Sequence, residues 1–251
     1  MRILCVIPAR YASTRLPGKP LRDIAGKPMI CRVYDRAAMA RTLSGVIVAT
    51  DDERILRAVE EHGGRAMMTA REHPTGTDRL AEVAEAYPDM ELIINVQGDE
   101  PLIEPALIDE LGRAFGSDET LQMATVMTPM EDKEERINPN NVKVVTDRNG
   151  FALYFSRSLI PFPRNETECP VYKHIGIYAY RREFLLEYAK MTPTPLERTE
   201  SLEQLRALEN GYRIKCVLSD ARFVGVDTEE DLEKVNAIYR ELENKGKAGR
   251  S

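Results

Sequence analysis

The sequence predicts an α/β fold built around a mainly parallel, Rossmann-like sheet, with a smaller antiparallel lobe laid against it. Up to residue 115, short apolar runs alternate with stretches of helical periodicity, as in successive strand–helix units. Between 121 and 180, apolar runs follow one another with turn signals between them, which is typical of antiparallel strands. The chain of 251 residues is predicted to form a single domain, 1–251, in which 121–180 is the lobe.

The first half contains four predicted strands and four predicted helices. Each strand is a short apolar run of the kind that is buried on both faces of a parallel sheet. The strands are 3–7, 46–49, 66–69 and 92–96, and the helices are 28–41, 53–62, a segment ending near residue 87, and 105–115. Thr77 is the predicted N-cap of the third helix, because threonine is a favourable residue type there.

The second half is predicted to contain shorter strands and two helices. The strands are 121–128, 141–146, 151–155, 171–180, 214–218 and 223–224, and the helices are 199–208 and 228–242. Asn149-Gly150 predicts a hairpin turn between the second and third of these strands. Ser201 and Gln204 have the residue types of a capping box. The polar tail, 243–251, is predicted to fray.

Composition argues against several functional classes. The net charge is −6, which argues against a broad nucleic-acid-binding surface, so the basic residues are expected to serve a small anionic ligand. The four cysteines lack C-x-x-C spacing, which favours reduced thiols over a disulfide framework or a zinc site. The N-terminal apolar run is too short for a signal sequence or a membrane span. We therefore expect a cytoplasmic protein that does not associate with membranes.

A loop after the first predicted strand is the strongest candidate for binding an anion. Arg10, Arg15 and Lys19 supply three positive charges, and Ser13 supplies a neutral donor. In a parallel sheet such a loop lies at the carboxyl edge, where ligands bind. The loop matches neither G-x-x-x-x-G-K-[ST] nor G-x-G-x-x-G, so neither a P-loop NTPase nor a dinucleotide-binding protein is supported. An ordinary solvated basic loop is the alternative interpretation.

Two aspartates are candidate ligands for Mg²⁺. Asp99 follows the apolar run 92–96 and would lie at the same sheet edge as the basic loop, where a carboxylate can hold Mg²⁺ on a phosphate. Asp227 directly precedes the closing helix. The alternatives are a turn-forming role for Asp99 and helix capping by Asp227 or Thr228.

Polar residues of the second half form a further set of candidates. His174 and Tyr178 share one face of a predicted strand, because side chains alternate along it. A lone histidine is more often structural than catalytic. Glu203 and Gln204 can equally be the polar side of an amphipathic helix, and Arg157 can be a solvated residue at the rim. The residues alone indicate an α/β enzyme that handles phosphates.

Taken together, these segments resemble the cytidylyltransferases that activate 3-deoxy-manno-octulosonate (Kdo). The matching blocks span nearly the whole chain in the family's order, and the combination of Tyr-Phe-Ser-Arg with Leu-Glu-Gln-Leu-Arg is highly specific. The first block alone is shared with other sugar-nucleotide transferases. The blocks are 7–20, 95–101, 142–145 with 154–157, 173–178, 201–206 and 225–228.

The resemblance implies a fold of the nucleotide-diphospho-sugar transferase type. It also implies the reaction of CTP with Kdo to give CMP-Kdo and pyrophosphate, for lipopolysaccharide synthesis. Lys19, Asp99 and Asp227 would be catalytic, and the two aspartates would bind Mg²⁺. The implied nucleotide-binding residues are Pro8, Ala9, Arg10, Ser13, Arg15, Lys19, Arg71, Thr75, Gly76, Asp78 and Gln97.

The resemblance also implies the residues that contact the sugar and an oligomeric state. The implied sugar contacts are Arg157, His174, Tyr178, Glu203 and Gln204. The lobe 121–180 would form the interface of a homodimer.

Three other functions remain open from the sequence. The first is a cytidylyltransferase for another acid sugar, such as sialic acid or 8-amino-Kdo, which would share the nucleotide half of the site. The second is a glycosyltransferase with the same fold, which would not release pyrophosphate. The third is a non-catalytic nucleotide-binding module.

Overall fold

The computed structural model describes residues 1–12, 16–116, 118–165, 169–221 and 223–248. The strands are β1 (Ile3–Ala9), β2 (Asp23–Ile24), β3 (Lys27–Pro28), β4 (Gly45–Thr50), β5 (Ala66–Met68), β6 (Leu92–Asn95), β7 (Met123–Pro129), β8 (Lys143–Thr146), β9 (Ala152–Ser156), β10 (Tyr172–Arg181) and β11 (Ile214–Leu218). The helices are α1 (Met29–Ala38), α2 (Glu53–Glu61), α3 (Gly76–Ala86), α4 (Pro105–Gly116), α5 (Lys133–Ile137), α6 (Arg182–Tyr188), α7 (Pro195–Glu200), α8 (Gln204–Glu209) and α9 (Glu229–Ala248).

Nine strands of the described ranges form one continuous sheet. Its order is β11-β7-β10-β6-β1-β4-β5, and β8 and β9 are added beside β10. The ladders joining β6, β1, β4 and β5 are parallel, as is the ladder between β7 and β11. β10 runs antiparallel to β6, β7 and β8. The predicted α/β class, a parallel sheet with an antiparallel part, is confirmed.

Helices cover both faces of this sheet. Helices α1, α2 and α4 pack on one face, and α3, α6 and α8 pack on the other. In β1 the side chains of Ile3, Cys5 and Ile7 enter the first core, whereas Leu4 and Val6 enter the second. A strand buried on both faces needs apolar residues at every position, which explains the unbroken apolar run in the sequence.

Helix α9 closes the molecule over the start of the chain. Its Leu232, Val235 and Tyr239 form a third buried cluster with Ile24 and Met29. The Tyr239 hydroxyl donates to the carbonyl of Pro101, and the Tyr239 ring lies 4.5 Å below the Arg32 guanidinium carbon. The C-terminal helix therefore holds the segment that follows β6 against the segment that follows β1.

The antiparallel strands are part of the central sheet and do not lie against it as a separate layer. β7 and β10 lie between β11 and β6 within the sheet. The β8–β9 hairpin branches from this order, because β8 pairs with one end of β10. Gly150 closes that hairpin with φ of 75°, a left-handed conformation that glycine adopts readily, as the Asn-Gly signal predicted.

The predicted helix 199–208 is wrong, because the chain forms two short helices there. Ser201 lies in the left-handed region, with φ 52° and ψ 51°, and separates α7 from α8. The capping box predicted at Ser201 and Gln204 is therefore absent. Helix α7 begins instead after Thr194, whose N–H donates to the Glu197 carboxylate at 3.1 Å.

Other local predictions also need correction. Thr75, not Thr77, caps α3, and its hydroxyl oxygen accepts the Asp78 N–H at 3.2 Å. Residues 223 and 224, both described, form no strand, and the short helices α5 and α6 were not predicted. Helix α9 continues to Ala248, so 243–248 is helical, and residues 249–251 lie outside the described ranges. Among the described helices, none is long and apolar enough to cross a membrane.

The contact between Tyr239 and Pro101 predicts a measurable loss of stability. The Tyr239→Phe exchange leaves the buried Pro101 carbonyl without this donor and should lower the free energy of unfolding by about 1–3 kcal/mol. Urea denaturation would measure the change. Tyr212→Phe is a matched control, because it removes a hydroxyl that donates to Glu187 at an exposed position. Equal effects of the two exchanges would contradict this role for Tyr239.

Candidate active site

The carboxyl ends of β1 and β6 bring two predicted segments side by side. These strands are parallel neighbours, with Val6 opposite Asn95, so the loop after β1 and the turn after β6 leave the sheet at one edge. A Cβ atom on Gly98 would lie 2.8 Å from the Pro8 carbonyl oxygen. Only glycine allows so close an approach without a shift of the backbone. Asp99 is therefore held against the end of β1.

Lys19 joins the two candidate aspartates, which come from distant parts of the chain. Its Nζ atom donates to Asp99 Oδ2 at 2.7 Å, to Asp227 Oδ1 at 3.1 Å and to the Val226 carbonyl at 2.9 Å. Burial opposes the charged ammonium, but the two carboxylates outweigh burial and raise the pKa of Lys19. The structure thus brings together Lys19, Asp99 and Asp227, as predicted.

The position of Lys19 depends on Tyr11 and Gly18. Gly18 has φ of 65° and precedes a short 3-10 turn, Lys19–Leu21. A Cβ atom on Gly18 would lie 3.1 Å from the Tyr11 hydroxyl oxygen. The same ring also lies against the Arg54 guanidinium, whose central carbon is 3.4 Å from the ring centroid. These contacts fix where the lysine side chain begins.

Helix capping does not account for Asp227. The Thr228 hydroxyl oxygen accepts the Asp231 N–H at 3.2 Å, and the Asp231 carboxylate accepts the Thr228 N–H at 3.0 Å. The N-terminus of α9 is therefore capped by Thr228 and Asp231. A backbone hydrogen bond of 2.9 Å from Val226 N–H to the Asp99 carbonyl places Asp227 beside Asp99.

The two aspartates fit Mg²⁺ bound together with a phosphate. Mg²⁺ is commonly held by one or two carboxylates plus phosphate oxygens and water. In the described part of the chain, no group of three or more His, Cys, Asp or Glu side chains could hold a metal ion. Burial, and then the charge of Asp99, raise the pKa of Glu100 to about 7. Such crowding of carboxylates favours a cation at this edge.

A cavity of about 340 Å³ opens beside Lys19 and the aspartates. Several of the implied nucleotide-binding residues line it, namely Pro8, Ala9, Arg10, Lys19 and Gln97. Ser13 and Arg15 lie outside the described residues. Arg71 is exposed and is not part of the cavity lining.

Arg10 also fixes the loop that precedes α3. Its Nη2 atom donates to the His73 carbonyl at 2.7 Å and to the Thr75 carbonyl at 3.3 Å. Thr75 and Asp78 form the capping box of α3, so their side chains serve the helix. Gly76 lies at the first position of α3 and lines a second cavity.

This second cavity, of about 190 Å³, shares Gln97 with the first. Three buried polar atoms of its lining have no hydrogen-bond partner among the described residues: Asn95 Oδ1, Glu203 Oε1 and Gln204 Nε2. Glu203 Oε1 lies 3.8 Å from Arg206 Nη1 in an ion pair. Asn95 Oδ1 and Gln204 Nε2 are therefore the acceptor and the donor most open to a ligand, because buried polar groups are normally paired. Tyr178, Tyr180 and Tyr188 supply aromatic walls.

Three of the five residues implied to contact the sugar line this cavity. Tyr178, Glu203 and Gln204 line it, whereas His174 and Arg157 do not. His174 is half-buried behind Tyr178, with ring centroids 5.4 Å apart, and its Nε2 atom lies 2.9 Å from the Thr125 hydroxyl. Burial lowers the pKa of His174 to about 3, so the ring is neutral. It therefore supports the Tyr178 wall.

An irregularity in β10 shapes this wall. The register of β10 against β7 shifts between Ile175 and Tyr178, and the Thr125 hydroxyl donates to the carbonyls of Ile175 and Ile177 there. The Gln97 side-chain amide donates to the Gly176 carbonyl at 3.0 Å. The bulge therefore gives Gln97 its place between the two cavities.

Asn95 is a site residue that the sequence analysis did not single out. It lies in β6, opposite Tyr178 of β10, and is 6% exposed. The available signal was a polar residue inside the apolar run Leu92-Ile-Ile-Asn-Val96. A buried strand tolerates such a residue only where its side chain finds a partner.

The fold and this paired arrangement of cavities define a nucleotidyltransferase. A family model described as Cytidylyltransferase matches residues 4–214. A solved structure titled CMP:2-keto-3-deoxy-manno-octonic acid synthetase complexed with CTP superposes with a TM-score of 0.93 at 45% identity, covering 96% of this chain and 100% of that one. A cytidylyltransferase from Leptospira borgpetersenii shares the fold, with a TM-score of 0.64 at 17% identity, covering 94% of this chain and 85% of that one.

Curated relatives give the narrower family. The 3-deoxy-manno-octulosonate cytidylyltransferase of Geotalea uraniireducens is 56% identical, over 94% of this chain and 98% of the relative. The protein of that name from Fusobacterium nucleatum is 54% identical, over 96% and 98% respectively. This chain therefore belongs to the 3-deoxy-manno-octulosonate cytidylyltransferase family, and the resemblance read from its motifs is confirmed.

The low pKa of His174 predicts that the stability of the protein depends on pH. A histidine in the unfolded chain has a pKa near 6.5, so below this pH His174 binds a proton in the unfolded chain but not in the folded one. The folded protein keeps its full free energy of unfolding above about pH 6.5, and it loses part of that free energy as the pH falls towards the pKa of folded His174. Between pH 6.5 and 5, the wild-type free energy of unfolding should fall by about 1.5 kcal/mol more than that of His174→Gln. Urea titrations at several pH values measure this, and parallel curves would contradict it.

Proposed function

We propose that this chain transfers the cytidylyl group of CTP to Kdo, giving CMP-Kdo and pyrophosphate. The observation that carries the proposal is the meeting of two cavities at Gln97. One cavity is lined by Arg10, Lys19 and two carboxylates, as a metal–triphosphate complex requires. The other presents acceptors and a donor, as the hydroxyl groups of a sugar require. A nucleotide and a sugar would thus lie side by side.

On the nucleotide side, the residues neutralise and orient the triphosphate. Asp99 and Asp227 would hold Mg²⁺, which when bound polarises phosphate oxygens and lowers the pKa of a bound hydroxyl. Lys19 and Arg10 border the cavity and would balance the remaining phosphate charge. The backbone of Pro8 and Ala9 would lie along the nucleotide.

On the sugar side, the residues orient the attacking hydroxyl. Glu203 Oε1 and Asn95 Oδ1 would accept from sugar hydroxyl groups, and Gln204 Nε2 would donate to one. Burial raises the pKa of Glu203, and the cost of burying it is relieved when it pairs with a hydroxyl. The anomeric oxygen then bonds to the α-phosphorus and gives up its hydroxyl proton to water, while the bond to pyrophosphate breaks. Catalysis of this kind consists of positioning and charge stabilisation.

The product suits lipopolysaccharide synthesis, and we propose a cytoplasmic homodimer as the working form. The β8–β9 extension supports the dimer, because its neighbourhood exposes large apolar side chains. Ile137 is 68% exposed and Phe162 is 82% exposed, beside a cavity of about 720 Å³. Monomers rarely leave such groups clustered in water.

Removing one carboxylate should abolish most of the activity. The Asp99→Asn exchange keeps the shape of the side chain but removes a charge that Lys19 and Mg²⁺ need, and it should lower kcat at least about a hundredfold. The rate of pyrophosphate release measures this. Asp89→Asn is the matched control, because Asp89 pairs with Arg2 at an exposed site. Near-normal turnover of Asp99→Asn, with unchanged dependence on Mg²⁺, would refute the role of Asp99.

The substrates can be tested in one grid of reactions. Pyrophosphate release with Mg²⁺ would be measured for CTP, UTP, ATP and GTP, each against Kdo, 8-amino-Kdo and sialic acid. We expect release only with CTP and Kdo. Release with CTP and a different acid sugar would keep the mechanism and replace the sugar. Transfer from a sugar nucleotide without pyrophosphate release would favour the glycosyltransferase alternative.

A further inference from the structure

The backbone between α7 and α8 is strained immediately before two polar residues of the second cavity. Ser201 adopts the left-handed conformation, which is unfavourable for a residue other than glycine. Glu203 and Gln204, whose side chains carry polar atoms in the cavity, follow within three residues. Such strain persists only where surrounding contacts hold the backbone. The contacts that hold this turn therefore also place Glu203 and Gln204.

Arg157 supplies the first of these contacts. Its Nε atom donates to the Glu200 carbonyl at 2.7 Å, and its Nη2 atom donates to the Ser201 carbonyl at 3.3 Å. A third bond, from Nη1 to the Pro139 carbonyl, measures 3.1 Å. The guanidinium group is thus bound to three backbone carbonyls, two of which belong to the strained turn.

The Glu200 side chain, at the end of α7, binds back to the end of β9. One carboxylate oxygen accepts the Ser156 hydroxyl at 2.6 Å, and the other accepts the Arg157 N–H at 2.9 Å. The end of β9 and the end of α7 are therefore joined by a reciprocal set of bonds. The planar Arg157 guanidinium and the two oxygens of the Glu200 carboxylate each bind in two places, so β9 and α7 cannot easily shift relative to each other.

Lys143 fixes the far side of Arg157. This lysine of β8 is fully buried, and its ammonium group donates to the carbonyls of Arg157, Asn138 and Asn141, the last two at 3.0 and 2.6 Å. Three donors with three acceptors satisfy a charge that would otherwise be costly to bury. The backbone of Arg157 is consequently anchored to the hairpin as well as to the turn.

We propose that Arg157, Glu200 and Lys143 are positioning residues that set the affinity for the acid sugar by holding the turn before Glu203 and Gln204. Arg157 then acts on the sugar through those two residues and does not touch it. The proposal rests on the proposed function. It differs from a direct contact between Arg157 and the sugar carboxylate, and also from a purely structural role, which would not distinguish between the two substrates.

Two mild exchanges test the proposal. Glu200→Gln replaces one of the two carboxylate oxygens that accept hydrogen bonds, and Arg157→Lys keeps the positive charge but removes the planar guanidinium group that binds three carbonyls. Each should raise KM for Kdo about tenfold, since misplacement of about 1 Å can cost up to about a hundredfold. KM for CTP and calorimetric binding of CTP should stay within about twofold of wild type, because neither residue lines the nucleotide cavity. Glu187→Gln is the matched control, since Glu187 also accepts a hydroxyl, that of Tyr212 at 2.7 Å, but on α6.

A mutant cycle separates the alternatives. With Glu203→Gln and Gln204→Ala both already in place, Arg157→Lys should add little to KM for Kdo, because the turn then has no sugar contact left to position. Multiplied effects would indicate an independent contact from Arg157 and would overturn the proposal, as would an unchanged KM for Kdo in Glu200→Gln. An equal rise in both KM values would assign the network to general stability. Failure of the proposed function is a separate result, namely no pyrophosphate from CTP and Kdo with the wild-type protein.

Discussion

The active site depends on one ammonium group that holds two carboxylates together. Lys19 reaches Asp99 and Asp227 from a loop that follows the first strand, whereas the aspartates follow the fourth parallel strand and precede the last helix. Without a cation between them, two carboxylates this close would repel each other and the helix end would be pushed from the sheet edge. The same ammonium offsets one of the two negative charges at this edge before any phosphate arrives. Charge balance therefore explains both the closure of the fold at this edge and its fitness for a metal–nucleotide complex.

The two halves of the sheet divide the work of binding. The parallel half supplies the carboxyl edge with the basic loop and the aspartates, as expected for a nucleotide. The antiparallel strand β10 pairs directly with β6 and brings Tyr178 opposite Asn95, so the second cavity, which would hold the sugar, begins one strand away. Gln97 lies between them and bonds to the bulged segment of β10. The two substrates would be aligned by the pairing of neighbouring strands, without any movement of domains.

Sequence reasoning found the parts of the site that follow from local patterns. Apolar runs that end at the sheet edge pointed to Lys19 and Asp99. Asp227, Glu203 and Gln204 were candidates by residue type, and the family motifs favoured a functional role for them over a structural one. Sequence reasoning failed where tertiary contacts decide the outcome. The left-handed conformation of Ser201 cannot be read from its residue type, because it depends on bonds to Arg157 and Glu197. The backbone carbonyls that bind the Arg157 guanidinium are likewise brought together only by the fold, so the sequence does not reveal them. Asn95 was hidden inside an apolar run for the same reason.

The placement of Asp227 has a consequence for how the protein comes into being. Asp227 follows every described strand along the chain, and α9 must pack on Ile24 and Met29 to bring Asp227 to Lys19. When β11 has just left the ribosome, Asp227 is therefore still inside the exit tunnel and this edge of the sheet is incomplete. The edge is complete only when α9 has emerged and packed on the segment that contains Ile24 and Met29. A chain without α9 could form the sheet but would not hold Asp227 against Lys19.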